Sequence, residues 1–236
     1  MPDIDEVELL ESLDGQVALV TGANRGIGAE IARRLVDLGA TVYAGSRSRE
    51  NETPEGSERV LLDVTQEGDV EAVVDGIHEE AGRLDVLVNN AGVGEFGEDI
   101  VAEPTSRIDR TLAVNLRGPT IVCKHAVPLL IQREGGRVVN VSSGMGALGE
   151  GMSGGSPAYR ISKTGLNGLT AYLHGEYRDR GLMANSVCPG WVRTGMGGEG
   201  ANRSVEAGAE TPVWLSRFAP GSPGGEFWRE KERIDW

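Results

Sequence analysis

Short apolar runs alternate along this chain with longer segments whose apolar residues recur every three to four positions. Val17-Ala18-Leu19-Val20 is the first such run and suits a strand buried on both faces. The stretch after it places Ile27, Ile31, Leu35 and Leu38 on one helical stripe. The same reading continued predicts strands at 16–21, 41–46, 59–63, 85–89, 136–141 and 184–188, with a short one near 225–228. Helices are predicted at 26–38, 67–82, 106–134 (broken near Gly118-Pro119), 157–180 and 204–216. Strand and helix in alternation predict an α/β fold, a doubly wound parallel sheet with helices on both faces and right-handed crossovers. Ligands in such sheets bind beyond the carboxyl ends of the strands. Gly22, Asn89, Ser143 and Pro189 all follow predicted strand ends, so the chemistry-bearing segments converge on one edge.

Between the first strand and the first helix runs Thr21-Gly22-Ala23-Asn24-Arg25-Gly26-Ile27-Gly28. A glycine-rich turn in that position lets the backbone approach a pyrophosphate, and the helix N-terminus adds partial positive charge. The spacing is Gly-x-x-x-Gly-x-Gly. Farther on, Tyr159 and Lys163 stand four apart, on one face of a predicted helix. A phenol titrates near ~10 and is a poor proton donor or acceptor at neutral pH. A fixed ammonium beside it favours the phenolate and is expected to hold the Tyr159 pKa down.

Six motifs in order resemble the short-chain dehydrogenase/reductases, from about residue 14 to the C-terminus. They are the glycine turn, Asp85-Val86-Leu87-Val88-Asn89-Asn90-Ala91-Gly92, Asn115 in Val114-Asn115-Leu116, Ser143 closing Val139-Asn140-Val141-Ser142-Ser143, the Tyr159/Lys163 pair, and Pro189-Gly190-Trp191-Val192-Arg193-Thr194. The tail, Gly224-Gly225-Glu226-Phe227-Trp228-Arg229-Glu230-Lys231 closing on Ile234-Asp235-Trp236, is similar to that of carbonyl reductases in the family. The stretch from Ser143 to Tyr159 is short and lacks the long insertion of monomeric relatives. The Gly-rich stretch after Thr194 predicts a small lid.

The resemblance implies a Rossmann-type single domain over 14–236, preceded by an acidic extension at 1–13. The acidic first dozen residues and the loop at 194–204 are expected to be mobile. It implies Asn115, Ser143, Tyr159 and Lys163 as catalytic residues. Tyr159 would exchange a proton with the substrate oxygen, and Lys163 would also bind the nicotinamide ribose. Ser143 would hydrogen-bond the substrate, with Ser142 as its minor rival, and Asn115 would anchor a water linking Lys163 to solvent. Gly22, Asn24, Arg25, Gly26, Ile27, Gly28, Asn89, Ala91, Gly92, Pro189 and Gly190 would line the cofactor. Asp63 and Val64 would contact its adenine, and Val192 and Thr194 its carboxamide. A cofactor-binding redox sensor on the same fold, without turnover, is the alternative class.

After the second strand the chain gives Ser46-Arg47-Ser48-Arg49, with no carboxylate before Glu50 to bind a ribose 2′-hydroxyl. Arg47 offers a planar, always-charged fork suited to a 2′-phosphate, and Arg25 would flank it. NADP(H) is therefore the expected cofactor, with NAD(H) as the alternative.

Composition narrows the rest. The net charge of −13 over 236 residues argues against nucleic-acid partners. Lys124, Lys163 and Lys231 are the only lysines, which fits either a salt-adapted surface or an arginine-biased genome. No run of roughly 18 apolar residues suggests a membrane span. The start, with Asp3, Asp5, Glu6, Glu8 and Glu11, lacks the pattern of a signal peptide, so a cytoplasmic location is expected. Cys123 and Cys188 read as buried thiols, and His78, His125 and His174 lack ligand spacing, so no metal is expected. The expected partner is a small carbonyl or alcohol substrate. Relatives without the insertion pair helices across a two-fold axis, which predicts a homodimer or homotetramer; the carbonyl-reductase-like tail argues for a monomer.

Overall fold

A computed structural model describes residues 7–236. One sheet runs through it in the order β3-β2-β1-β4-β5-β6-β7-β8. Its strands are β1 Val17–Val20, β2 Thr41–Ser46, β3 Glu58–Leu61, β4 Val86–Asn89, β5 Arg137–Val141, β6 Met183–Val187, β7 Phe227–Arg229 and β8 Glu232–Ile234. All neighbours pair in parallel except β7 with β8. The helices are α1 Gly26–Asp37, α2 Glu67–Ala81, α3 Thr105–Leu112, α4 Gly118–Leu130, α5 Pro157–Tyr177 and α6 Val205–Ser216. This is the doubly wound Rossmann-type α/β domain expected from the alternating pattern.

The strands read as continuous apolar runs because both faces of the sheet are covered. Along β1, Ala18 and Val20 pack into the layer with Ile31 and Leu35 of α1 and Val213 of α6. Val17 and Leu19 point the other way, to Val74 of α2, Val122 of α4 and Leu173 of α5. Reversal of strand order between β1 and β4 opens the crevice at the carboxyl edge where the motifs gather.

Four expectations change. The break near Gly118-Pro119 is instead a widened helical turn at Ala113–Arg117, centred on Asn115, from which α4 continues. Pro119 has no N–H to return to the carbonyl of Asn115 four residues back, and the Gly118 N–H reaches Ala113 at the wider spacing. The antiparallel β8 was not foreseen. It follows a two-residue turn at Glu230 and Lys231, both with φ in the left-handed region (54° and 67°). Such a turn normally announces itself by Gly or Asn, and here neither is present.

Residues 7–13, read as part of a mobile extension, dock on the body. Leu9 pairs with Phe218, the Leu10 N–H donates to the Arg217 carbonyl, and Leu13 is fully buried. Burial of Leu9, Leu10 and Leu13 outweighs the acidity around them. Asp3, Asp5 and Glu6 lie outside the described residues. The loop after Thr194 is likewise organised: the Gly197 N–H donates to Thr194 Oγ1 (3.1 Å), the Trp191 indole to the Gly197 carbonyl (2.8 Å), and Val192 bridges Arg203.

Candidate active site

The glycine turn is shaped by contacts that only glycine allows. Gly22 has φ +66°, and a Cβ there would stand 3.0 Å from Ala91 Cα. At Gly28 a Cβ would overlap the side-chain amide of Asn90. That amide donates to the carbonyls of Thr21 (3.0 Å) and Gly22 (3.1 Å), while Thr21 Oγ1 accepts from the N–H groups of Asn90 (3.0 Å) and Ala91 (2.9 Å). Asn90 and Thr21 thus pin the turn to the end of β4. Neither was singled out beforehand, although the doubled Asn after β4 was the signal for one of them. No side chain caps the first turn of α1, so its N–H groups face the cradle with their partial positive charge. Gly26 meets Thr194, whose Cγ2 would be 3.3 Å from a Cβ there, so the turn and the Pro-Gly loop close on one another. The uncapped N–H groups and the closely packed glycines suit a pyrophosphate.

Arg25 and Arg47 are exposed, and among the described residues neither side chain has a hydrogen-bond or ion-pair partner. The Ala23 N–H donates to the Gly45 carbonyl (2.9 Å), which brings the end of β2, and Arg47 just after it, beside the glycine turn. Asp63 turns its carboxylate on its own chain, accepting from the Thr65 N–H (2.9 Å) and hydroxyl (2.8 Å). Val64 is buried against Gly118. Asn24 is half-buried in the turn. The side chain of Asn89 faces away from the cradle: its Nδ2 donates to Asn140 Oδ1 (2.9 Å), which leads on through Asn140 Nδ2 to Thr170 (2.7 Å) and Ser186 (2.8 Å). The buried Oδ1 of Asn89 has no hydrogen-bond partner among the described residues. Gly190, at φ +81°, and buried Val192 carry the chain from β6 to Thr194.

Four side chains meet beyond the strand ends. Ser143 follows β5, heads a single 3-10 turn over Gly144–Gly146, and accepts from the Met145 N–H (3.2 Å). Tyr159 rises from the first turn of α5, near enough to the Ser143 hydroxyl for it to act on the phenol's pKa. Lys163, one turn on, donates to the Val141 carbonyl (2.8 Å), with Nζ 5.7 Å from the Tyr159 ring centre. Gly92 lies between Lys163 and Asn115: a Cβ there would be 3.7 Å from Nζ and 3.5 Å from Asn115 Oδ1. Asn115, fully buried, clamps Val93 from both sides and donates to Ser162 (3.1 Å). Its amide is thus occupied, so an anchored water would have to use the main chain. Ser142 donates to the Lys163 carbonyl (3.3 Å) and is buried, which leaves Ser143 as the serine facing Tyr159.

The electrostatics correct one expectation. Burial pushes the Tyr159 phenol up to about 12, only partly offset by the nearby Ser143 hydroxyl. The same burial brings Lys163 down to about 8. Desolvation therefore outweighs any lowering of the phenol by the ammonium, which is directed at Val141. At neutral pH the pair is a protonated phenol beside an ammonium close to its titration point. That is the state a proton donor requires.

Residues 16–204 match the model of the short chain dehydrogenase family. The chain belongs to that family. It is an oxidoreductase whose family uses a nicotinamide cofactor. Rat carbonyl reductase [NADPH] 1 is 33% identical, over 95% of this chain and 100% of the rat protein. A 3-oxoacyl-[acyl-carrier-protein] reductase of Thermotoga maritima is 35% identical, covering 93% of this chain and 87% of its own. The NADPH-bound carbonyl reductase from chicken fatty liver superposes with a TM-score of 0.86 at 25% identity, over 96% of this chain and 100% of that one. Among the described residues no helix is long and apolar enough to cross a membrane, and no group of three His, Cys, Asp or Glu side chains could hold a metal ion.

Proposed function

We propose that the chain is an NADP(H)-dependent oxidoreductase that reduces ketones and aldehydes and, in reverse, oxidises the corresponding alcohols. The observation that carries this is the buried Tyr159, one helical turn from Lys163 with its Nζ 5.7 Å from the ring centre, beside Ser143 beyond the strand ends. The bound nicotinamide supplies or accepts the hydride. Ser143 holds the substrate oxygen, and Tyr159 gives that oxygen its proton as the carbonyl carbon receives hydride. Lys163 adds positive charge beside the phenol, and Asn115 fixes the Val93 loop that walls its other side. Thr194 and the Val192 backbone hold the carboxamide, and Arg47, aided by Arg25, binds the 2′-phosphate. A carbonyl reductase at one third identity supports the substrate class. Consumption of NADPH across ketones, aldehydes and quinones tests it; an enzyme inactive on all of them would leave the cofactor-binding sensor.

The substrate mouth is apolar, which points to flat, uncharged carbonyls. Phe96 stands edge-on to Tyr159 with ring centres 5.2 Å apart, and it is half exposed, as is Met196. Both crowd Gly94, where a Cβ would lie 2.7 Å from Phe96 Cζ and 3.2 Å from Met196 Sδ and Tyr159 Cε2. Phe96→Ala should cost about tenfold in kcat/KM toward aryl ketones, roughly 1.4 kcal/mol, and change small aliphatic ketones little. Equal losses on both would remove Phe96 from the substrate wall.

Assembly follows the same reading. A groove of about 510 Å³ between α4 and α5 is lined by Val127, Ile131, Leu169 and the exposed Tyr172. Paired across a two-fold axis, this face would close a homodimer, or a homotetramer with a second contact. Light scattering should give a multiple of the 25.0 kDa chain mass; a mass near 25.0 kDa would contradict it.

A further inference from the structure

Ser143 begins a segment that leaves the sheet and becomes exposed by Leu148–Glu150. From α5, Thr164 Oγ1 (3.0 Å) and Asn167 Nδ2 (3.3 Å) donate to the Gly146 carbonyl. On the opposite side the support comes from Cys188 and the chain's last ten residues. The Gly144 N–H donates to Cys188 Sγ (3.1 Å), at the end of β6. The guanidinium of Arg229, on β7, holds both oxygens of Glu150 (2.7 and 2.9 Å) and lies against Gly144. The Gly149 N–H donates to the Trp236 carbonyl (2.8 Å). Underneath, Ala147, Cys188 and Phe227 form a small apolar cluster with Ile234 and Trp236. Gly144 makes this possible: a Cβ would overlap the Arg229 guanidinium and lie 2.9 Å from Glu150 Oε2.

We propose that Arg229 is a positioning residue for Ser143: by holding Glu150 while lying against Gly144 it locks both ends of the serine segment. Cys188 Sγ completes the brace by accepting from the Gly144 amide, one residue from the hydroxyl that would hold the substrate. The bidentate fork matters because it fixes direction as well as distance. Arg229 and Glu150 are each partly exposed (32% and 43%), so the pair adds little to overall stability and its loss acts locally. The inference rests on Ser143 as the substrate-binding serine of the proposed reaction. It also gives the unforeseen β7–β8 hairpin a task, since that turn presents Arg229 to the site.

Two measurements on Arg229→Gln test it. The first is a double-mutant cycle with Ser143→Ala on NADPH-dependent ketone reduction. Arg229→Gln alone should lower kcat about tenfold, the scale of a sub-ångström misplacement, with the NADPH dissociation constant and ketone KM within about twofold. In the Ser143→Ala background it should lower kcat no further. Equal losses in both backgrounds, or a change confined to KM, would overturn the proposal, the latter by making Arg229 a direct substrate contact. The second is amide hydrogen exchange of the cofactor-free protein, where residues 143–150 should exchange faster in Arg229→Gln and in Cys188→Ala. Unchanged exchange there overturns the brace. If the wild-type protein reduces no carbonyl, the catalytic reading fails by itself and the exchange measurement still decides the brace.

Discussion

Tyr159→Phe should bind the nicotinamide cofactor as the wild type does and lose about 10²–10⁴-fold in turnover, the range of a positioned general acid. The ring and its edge contact with Phe96 survive the substitution, while the phenolic proton is deleted. Retention of a tenth or more of the wild-type rate would assign the proton elsewhere. The pH profile separates the two partners. Tyr159, with its pKa pushed up to about 12, stays protonated throughout the neutral range, whereas Lys163, brought down to about 8, loses its charge first. Carbonyl reduction should therefore hold steady at neutral pH and fall as pH rises through about 8, the Lys163 step. A rate that stays flat well above that point would show that the ammonium charge is dispensable.

Arg47→Asp should shift the enzyme from NADPH toward NADH. A charged hydrogen bond to phosphate contributes about 1.5–3 kcal/mol, or roughly 10–100-fold, and the introduced carboxylate adds repulsion. Arg47 is exposed and unengaged among the described residues, so the exchange leaves the fold alone. NADH lacks the 2′-phosphate and should be little affected, or gain from a carboxylate that accepts its 2′-hydroxyl. Cofactor dissociation constants measured by fluorescence titration check this without turnover. Equal losses for both cofactors would place Arg47 outside the phosphate site.

Much of this architecture is written locally. Val17–Val20, the glycine turn and the stripe of α1 specify strand, cradle and helix within about twenty residues, and each glycine has a contact that explains it. The Tyr159/Lys163 pair was legible because helical spacing alone puts the two on one face. What spacing does not carry is direction and solvent. Lys163 reaches Val141 on another strand, and the covering that desolvates Tyr159 comes from remote segments such as the Phe96 loop, so the sign of the phenol's shift was missed. Asn89 sat in a recognisable motif, yet its partner Asn140 is 51 positions away and turns it inward. The widened turn at Asn115 and the Glu230-Lys231 hairpin lacked cues for a different reason. Proline advertised a break rather than a change of ladder, and left-handed residues without Gly or Asn advertise nothing.

The most direct measurement is the kcat/KM of the purified wild-type protein for an apolar aryl ketone with NADPH and with NADH, followed through loss of the reduced nicotinamide. The account predicts turnover with both and at least about tenfold preference for NADPH, the lower bound of a charged phosphate contact. No turnover with either cofactor, or NADH used as well as NADPH or better, would contradict it.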